Sequence, residues 1–346
     1  VALLLPKSAS DPRVVSLAAS AEKAARMAMA DLGDAVEMDL RVYDTGGSAT
    51  LAASAAQQAV SDGAKVIVGP LFADAANAVG VAVADSGVNV LSLSNNVDIA
   101  GGNVFVLGNT FQNTADRLVS YAFSQGKKRA LIVHAQNVEG EAGRKALADA
   151  LARAGVNPVG SESYEFTQQG IVNAMGRVAS RNRSVGADLV LLTDNYDGGL
   201  TLIGQLLPEA GVNPNTVQYA GLSRWDALPS AFNLPGIQGG WFALPNTTRT
   251  AQFRTRYSNA NGSAPHPLAA IAYDGIAAVG ATVSTGSRDA LSVSGLTRAN
   301  GFEGAAGVFR LRADGTIERG LAVATIAGNE VVILSAAPTS FAGAGL

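Results

Sequence analysis

Asp62-Gly63-Ala64-Lys65-Val66-Ile67-Val68-Gly69-Pro70-Leu71 sets a short apolar strand, 66–68, between two turn-forming edges. An Ala-rich helical window near 51–62 runs into it, and Pro70-Leu71-Phe72-Ala73-Asp74 opens the next helix, 73–85. The same alternation extends in both directions. Strands are expected at 1–5, 38–43 and 88–93, with a helix near 15–32. Strands separated by helical windows at this spacing argue for βαβ units and a parallel sheet covered by helices.

After Gly108 the pattern restarts. Helices are expected near 114–125, 143–154, 171–181 and 200–207, and strands at 130–133, 159–164, 189–192 and 217–219. The end of the chain, a strand at 241–243, helices at 251–259 and 268–285 and strands at 308–311, 321–326 and 331–334, does not make a third domain. Its two helices need a sheet to cover, and the first lobe supplies one. The fold class is therefore α/β, two doubly wound Rossmann-like lobes joined by a three-strand hinge. Lobe I is expected at 1–108 plus 247–312 and lobe II at 109–246 plus 313–346, with crossovers near 108–110, 244–247 and 310–325. Asp314-Gly315 signals a turn between two of the last strands.

Composition agrees with two globular lobes. The chain has 346 residues, 48% hydrophobic and 15% charged, enough to bury sizeable cores. With 25 basic against 28 acidic side chains and no basic run, the electrostatic footprint of a nucleic-acid or anionic-lipid partner is missing. No cysteine is present, which excludes disulfides, thiolate metal sites and a cysteine nucleophile in this sequence. Apolar runs stay far below the ~20 residues of a membrane-spanning helix, as expected of a soluble chain. The sequence opens directly on its first apolar strand, so any signal or lipoprotein leader is expected to have been removed ahead of it.

Several segments together resemble the Leu/Ile/Val-binding, type I periplasmic receptor family. They are Asp44-Thr45-Gly46-Gly47, the 62–71 stretch, Val90-Leu91-Ser92-Leu93-Ser94-Asn95-Asn96, Ala272-Tyr273-Asp274-Gly275 and Gly301-Phe302-Glu303-Gly304 with Gly307-Val308-Phe309. Within that superfamily, Gly69-Pro70-Leu71-Phe72-Ala73 and the Ser-Asn-Asn segment are most similar to the penicillin-binding-protein activator lipoproteins. The first likeness implies a periplasmic solute receptor of an ABC-type amino-acid transport system, closing a cleft on its ligand and passing it to a membrane permease. The second implies a regulator that touches a cell-wall synthase.

In open α/β sheets, ligands sit beyond the carboxyl ends of the strands, where loops and helix starts present free N–H groups. Those loops are 7–10, 70–74, 92–96, 136–139, 194–197 and 223–226. They carry Ser8, Phe72, Ala73, Asp74, Ser94, Asn95, Asn96, Asn137, Glu139, Asn195, Tyr196, Arg224, Trp225 and Asp226, the candidate ligand-binding residues. The N–H groups around Ala73 and Asp74 suit a carboxylate, although Asp74 also reads as a helix cap. The hydroxyl that the family carries at this position is absent from Ala73. Ser94, Asn95 and Asn96 offer donors and acceptors for a zwitterion, and Asn96 falls where the amino-acid receptors carry threonine. Turn formation competes for the same side chains.

Glu139 stands where many of those receptors place an aromatic residue, and it also suits a solvated helix start. Asp194 or Asp226 could face an ammonium group, and Tyr196 and Trp225 could form a flat apolar wall. Arg224 favours an anion, or else pairs with Asp226 at the surface.

Catalytic readings have little support. The two histidines, His134 and His266, lie far apart and outside any metal-binding spacing. Neither Gly-x-Ser-x-Gly nor a phosphate-binding Gly-Lys-Ser/Thr loop occurs. The first strand leads into Pro6-Lys7-Ser8-Ala9-Ser10, without the tight glycine turn that a dinucleotide requires. No cofactor and no enzymatic activity are expected; the expected partner is a small polar ligand such as an amino acid.

Overall fold

The computed structural model describes residues 1–33 and 36–341. The chain divides into two compact units: Val1–Thr110 with Asn246–Gly320 and the return from Pro338, and Phe111–Pro245 with Leu321–Ala337. In chain order the first elements are β1 (Ala2–Leu5), α1 (Pro12–Leu32), β2 (Arg41–Asp44), α2 (Ala49–Ser61), β3 (Val66–Val68), α3 (Ala73–Ala82), β4 (Asn89–Ser92) and β5 (Val104–Val106). The second unit contributes α4 (Phe111–Ser124), β6 (Ala130–Ala135), α5 (Val138–Arg153), β7 (Gly160–Tyr164), α6 (Gln168–Val185), β8 (Leu189–Leu192), α7 (Leu200–Glu209), β9 (Gln218–Gly221) and β10 (Trp241–Leu244). Then come α8 (Thr247–Asn261), α9 (Ala269–Val283), β11 (Phe302–Gly304), β12 (Gly307–Leu311), β13 (Ile317–Arg319), β14 (Ala322–Ala327) and β15 (Glu330–Ser335). No helix among the described residues is long and apolar enough to cross a membrane.

The first unit holds a parallel sheet in the order β2-β1-β3-β4-β5, with Leu3 opposite both Val42 and Val68. Side chains alternate across its strands. Leu3, Leu5, Val66 and Val68 pack with Ala18, Ala21, Ala25 and Ala28 of α1 and with Ile276 and Val279 of α9. Ala2, Leu4 and Ile67 pack with Ala52, Ala56 and Ala59 of α2 and with Val79 of α3. Alanine faces let helices lie close to strands this short. The second unit repeats the plan in a seven-stranded sheet, β15-β14-β10-β9-β8-β6-β7, with α4 and α5 on one face and α6 and α7 on the other. Its β14 and β15 run antiparallel.

Several expectations are corrected. Helix α1 starts at Pro12, because the Asp11 carboxylate accepts the Arg13 N–H at 2.8 Å and proline suits a first turn. Helix α5 starts at Val138, five residues before the expected 143, because the Asn137 side chain caps it. Strands β5, β11 and β13 went unforeseen. The boundary expected near 312 falls after Gly320, because β13 pairs with β12. A fourth passage follows at Ala337, where the expected hinge has three. Past it, the Phe341 ring lies under Arg310, 4.7 Å from the guanidinium carbon.

β13 is anchored by a buried ion pair. Arg319 Nη1 donates to Asp274 Oδ2 of α9 at 2.7 Å, with both side chains at most 5% exposed. Arg319 Nη2 donates to the Leu107 carbonyl at 2.6 Å, and Asp274 Oδ1 accepts the Ala305 N–H at 2.7 Å. One pair thus joins α9, the loop after β11 and the end of β5. Removing one partner of such a pair strands a buried charge, at about 3–5 kcal/mol. Arg319→Ala is therefore expected to lose about that much in chemical denaturation, and the double variant Asp274→Leu/Arg319→Met to recover most of it.

Candidate functional site

In the first unit, α1 leads from β1 outward to β2 on one face, while α2 and α3 carry the chain the other way on the opposite face. The loops leaving the neighbouring strands β1 and β3 therefore diverge, and a crevice opens at their carboxyl ends. The second unit is wound the same way, and there the diverging loops leave β6 and β8. Each unit thus places its own crevice at 6–10 with 69–73, and at 136–139 with 193–199.

At the first crevice, Asp44 ends β2 and holds the β1 loop. Its Oδ1 accepts N–H groups of Lys7 at 2.8 Å, Ser8 at 3.2 Å and Gly46 at 2.9 Å. Burial opposes its charge, but the Ser8 hydroxyl and these N–H groups keep the carboxyl below its ordinary value. The β3 loop turns at Gly69, whose φ of +97° and approach to the Leu4 carbonyl (a Cβ would lie 2.2 Å from it) leave room for glycine alone. Phe72 then precedes α3 without a side-chain cap, and Asp74 Oδ1 accepts the Ala75 N–H at 2.8 Å. An acid thus already stands over the first turn, where Ala73 and Asp74 were expected to receive a carboxylate.

Ser94 is spent on the β4 turn. It is buried, its Oγ accepts the Asn96 N–H at 3.1 Å, and its carbonyl accepts the Gly108 N–H at 3.0 Å. Asn96 Oδ1 accepts the Asp98 N–H at 2.9 Å. Asn95 is exposed with no side-chain hydrogen bond among the described residues, and the Asn96 amide nitrogen likewise stays free.

At the second crevice, Asn137 caps α5 by accepting the Gly140 N–H at 2.7 Å. Asn195 Oδ1 accepts the Gly198 N–H at 2.9 Å, and its Nδ2 donates to the exposed Glu139 at 3.3 Å, joining the two loops. Behind them, the Tyr164 hydroxyl donates to the Asp194 carboxylate. Burial pushes that carboxyl up to about 6; the Gly199 N–H acts against this and nearby Glu139 adds to it. Tyr196 donates to the Trp225 carbonyl at 2.7 Å, and burial raises its hydroxyl to about 12.

Trp225 is not a wall for a ligand. It is fully buried, stacks on Phe242 with ring centroids 6.4 Å apart, and lies flat against Gly221 and Gly240. Arg224 and Asp226 pair with each other at 2.6 Å. Of the residues expected at the site, Ser8, Asn95, Asn96, Glu139 and Asn195 remain as exposed or partly exposed polar groups at the strand ends. Asp44 and Tyr164 were not singled out from the sequence, and neither carried a local signal beyond its place at a strand end.

Other clusters lie elsewhere. A depression of about 210 Å³ on the first unit is lined by Arg249, Gln252, Phe253, Arg256, Tyr273 and Glu303. Its arginines are committed, Arg249 to Glu303 and Arg256 to Asp31. Among the described residues, no three His, Asp or Glu side chains gather as metal ligands.

The raised Asp194 pKa has a stability consequence. The folded protein holds this proton more tightly than the unfolded chain, so the stabilisation is full below about pH 4 and is lost as pH rises through about 6. Relative to wild type, Asp194→Asn is expected to gain on the order of 2 kcal/mol between pH 4 and 7, measured as the difference between the two denaturation curves.

A model of the periplasmic binding protein family matches residues 1–330. A sequence search of curated proteins gave no match. A protein assigned as a branched-chain amino acid ABC transporter from Rhodospirillum rubrum superposes with a TM-score of 0.79 at 15% identity, over 96% of this chain and 99% of that one. A branched chain amino acid ABC transporter periplasmic ligand-binding protein from Burkholderia xenovorans gives 0.74 at 18% identity, over 98% and 95%. An ABC transporter substrate-binding protein from Desulfitobacterium hafniense, in complex with Leu, gives 0.67 at 19%, over 96% and 99%. At these identities the likeness is one of fold, and that fold is the doubly wound α/β plan expected from the sequence. The family model spans nearly the whole chain: this protein belongs to the periplasmic binding protein family.

Proposed function

We propose that the protein is an extracytoplasmic receptor that binds an amino acid or a similar small polar molecule and delivers it to an ABC-type membrane permease. One observation carries this reading: in each unit, exposed polar side chains gather at the loops of the sheet's switch point, where open α/β sheets hold ligands. The relative from Desulfitobacterium hafniense, whose structure holds Leu, lends support. An α-amino acid needs donors for its carboxylate and an anion for its ammonium. Ser8, Asn95 and Asn96 supply the first, and exposed Glu139, oriented by Asn195, supplies the second. Asp194, held by Tyr164 behind the loop, serves to position Asn195. The role is binding rather than catalysis.

Ligand-stripped protein screened by thermal shift against amino acids, amides, small organic acids and cell-wall fragments tests the reading. A ligand at 100 times its Kd stabilises the folded state by about 2.7 kcal/mol, a rise of a few degrees in Tm. A hit among free amino acids is expected. Silence from every amino acid would overturn the reading in favour of a regulator that acts on a cell-wall synthase by protein contact. With a ligand identified, Asn96→Ala/Asn195→Ala is expected to lower affinity by about tenfold or more in calorimetric titration, the effect of losing one or two hydrogen bonds.

A further inference from the structure

Phe166 follows β7 and is 48% exposed, in a unit whose Tyr164, Tyr219, Trp225 and Phe242 are all buried. It belongs to none of the apolar clusters, yet its position is fixed. The Thr167 N–H donates to the Glu165 carbonyl at 2.7 Å, and Thr167 Oγ1 accepts the Gly170 N–H at 2.9 Å to cap α6. The ring rests on Gly198 of the β8 loop, where a Cβ would lie 3.1 Å from the ring and 2.9 Å from Asp194 Oδ1. Gly198 is thus held between Phe166 and the Asp194 carboxylate. In the sheet, β6 lies between β7 and β8, so this contact bridges the carboxyl end of β6. The loop of β6 carries a second exposed apolar residue, Val138, at 90%.

One exposed apolar side chain is ordinary on a protein surface. Two on neighbouring loops of the same sheet end, one of them pinned in place, leave apolar surface in water that no packing within this unit uses. They adjoin the loops that carry Glu139 and Asn195. Small-molecule sites combine such apolar lining with a few placed polar groups. We infer that Phe166 is a specificity-determining residue: it contacts the apolar portion of the ligand, while Glu139 and Asn195 hold the polar portion. The inference rests on the amino-acid-binding reading given above.

Calorimetric titration of wild type, Phe166→Ala and Phe166→Leu with L-leucine and L-serine tests it, with Tm as the check on folding. Phe166→Ala is expected to weaken L-leucine by about tenfold, as loss of an apolar contact does, and to change L-serine less than about twofold. Phe166→Leu is expected to keep L-leucine within about threefold of wild type, and it carries the test alone if the alanine variant does not fold. Unchanged L-leucine affinity in Phe166→Ala, or equal losses for both ligands, would overturn the inference and leave the binding function standing. A wild type that binds neither these nor any other amino acid would overturn both.

Discussion

A strand–helix–strand connection between parallel strands is right-handed, because a twisted strand feeding a right-handed helix packs back onto the sheet in that sense alone. In both units the chain first steps to one side of its starting strand and then returns past it, so successive helices must lie on opposite faces. That reversal separates the β1 loop from the β3 loop and the β6 loop from the β8 loop. The strands below are short and buried, as in Val66–Val68 and Leu189–Leu192, and helices press on both faces. Apolar packing covers the faces and leaves the carboxyl ends uncovered. The polar chemistry of the protein collects there as a consequence of winding.

An uncovered strand end must still satisfy its backbone groups. Here that work falls to side chains: Asp44 on the Lys7 and Ser8 N–H groups, Ser94 on Asn96, Asn96 on Asp98, Asn137 on Gly140 and Asn195 on Gly198. Residues that hold the loops are therefore of the same types as residues that bind polar ligands. Asn96 and Asn195 do both jobs in the proposed site: an oxygen caps the backbone and the amide nitrogen is directed to another partner or left free. At the closing end of the first unit a different solution operates. The Arg319–Asp274 pair, shut away from water, ties the Leu107 carbonyl and the Ala305 N–H to helix α9.

The winding was legible in the sequence because it rests on local periodicity. Strands 66–68 and 189–192 were placed to the residue. What escaped depends on partners far away in the chain. β13 reads Ile-Glu-Arg, with no apolar alternation, and its place is set by Asp274, 45 residues earlier. Val104–Val106 is too short to show a period. Trp225 reads as a ligand wall because an aromatic residue after a strand so often is one. Its burial is decided by Gly221 and Gly240, which let the indole lie on bare backbone. The right loops were found and many roles within them were not, because Asx turns, caps and ligand contacts draw on the same residues. Phe166 escaped for the opposite reason: inside Tyr-Glu-Phe-Thr it looks like a helix approach, and its exposure exists only in the folded protein.

The central claim is that the diverging loops of each sheet bind the ligand. Hydrogen exchange read by mass spectrometry, with and without a saturating ligand identified by screening, tests this most directly. Added protection is predicted in peptides covering 6–10, 69–74, 93–98, 136–139 and 193–199. Protection that spares all of these and appears instead around Arg249, Gln252 and Tyr273 would contradict the claim and place the site on the flank of the first unit.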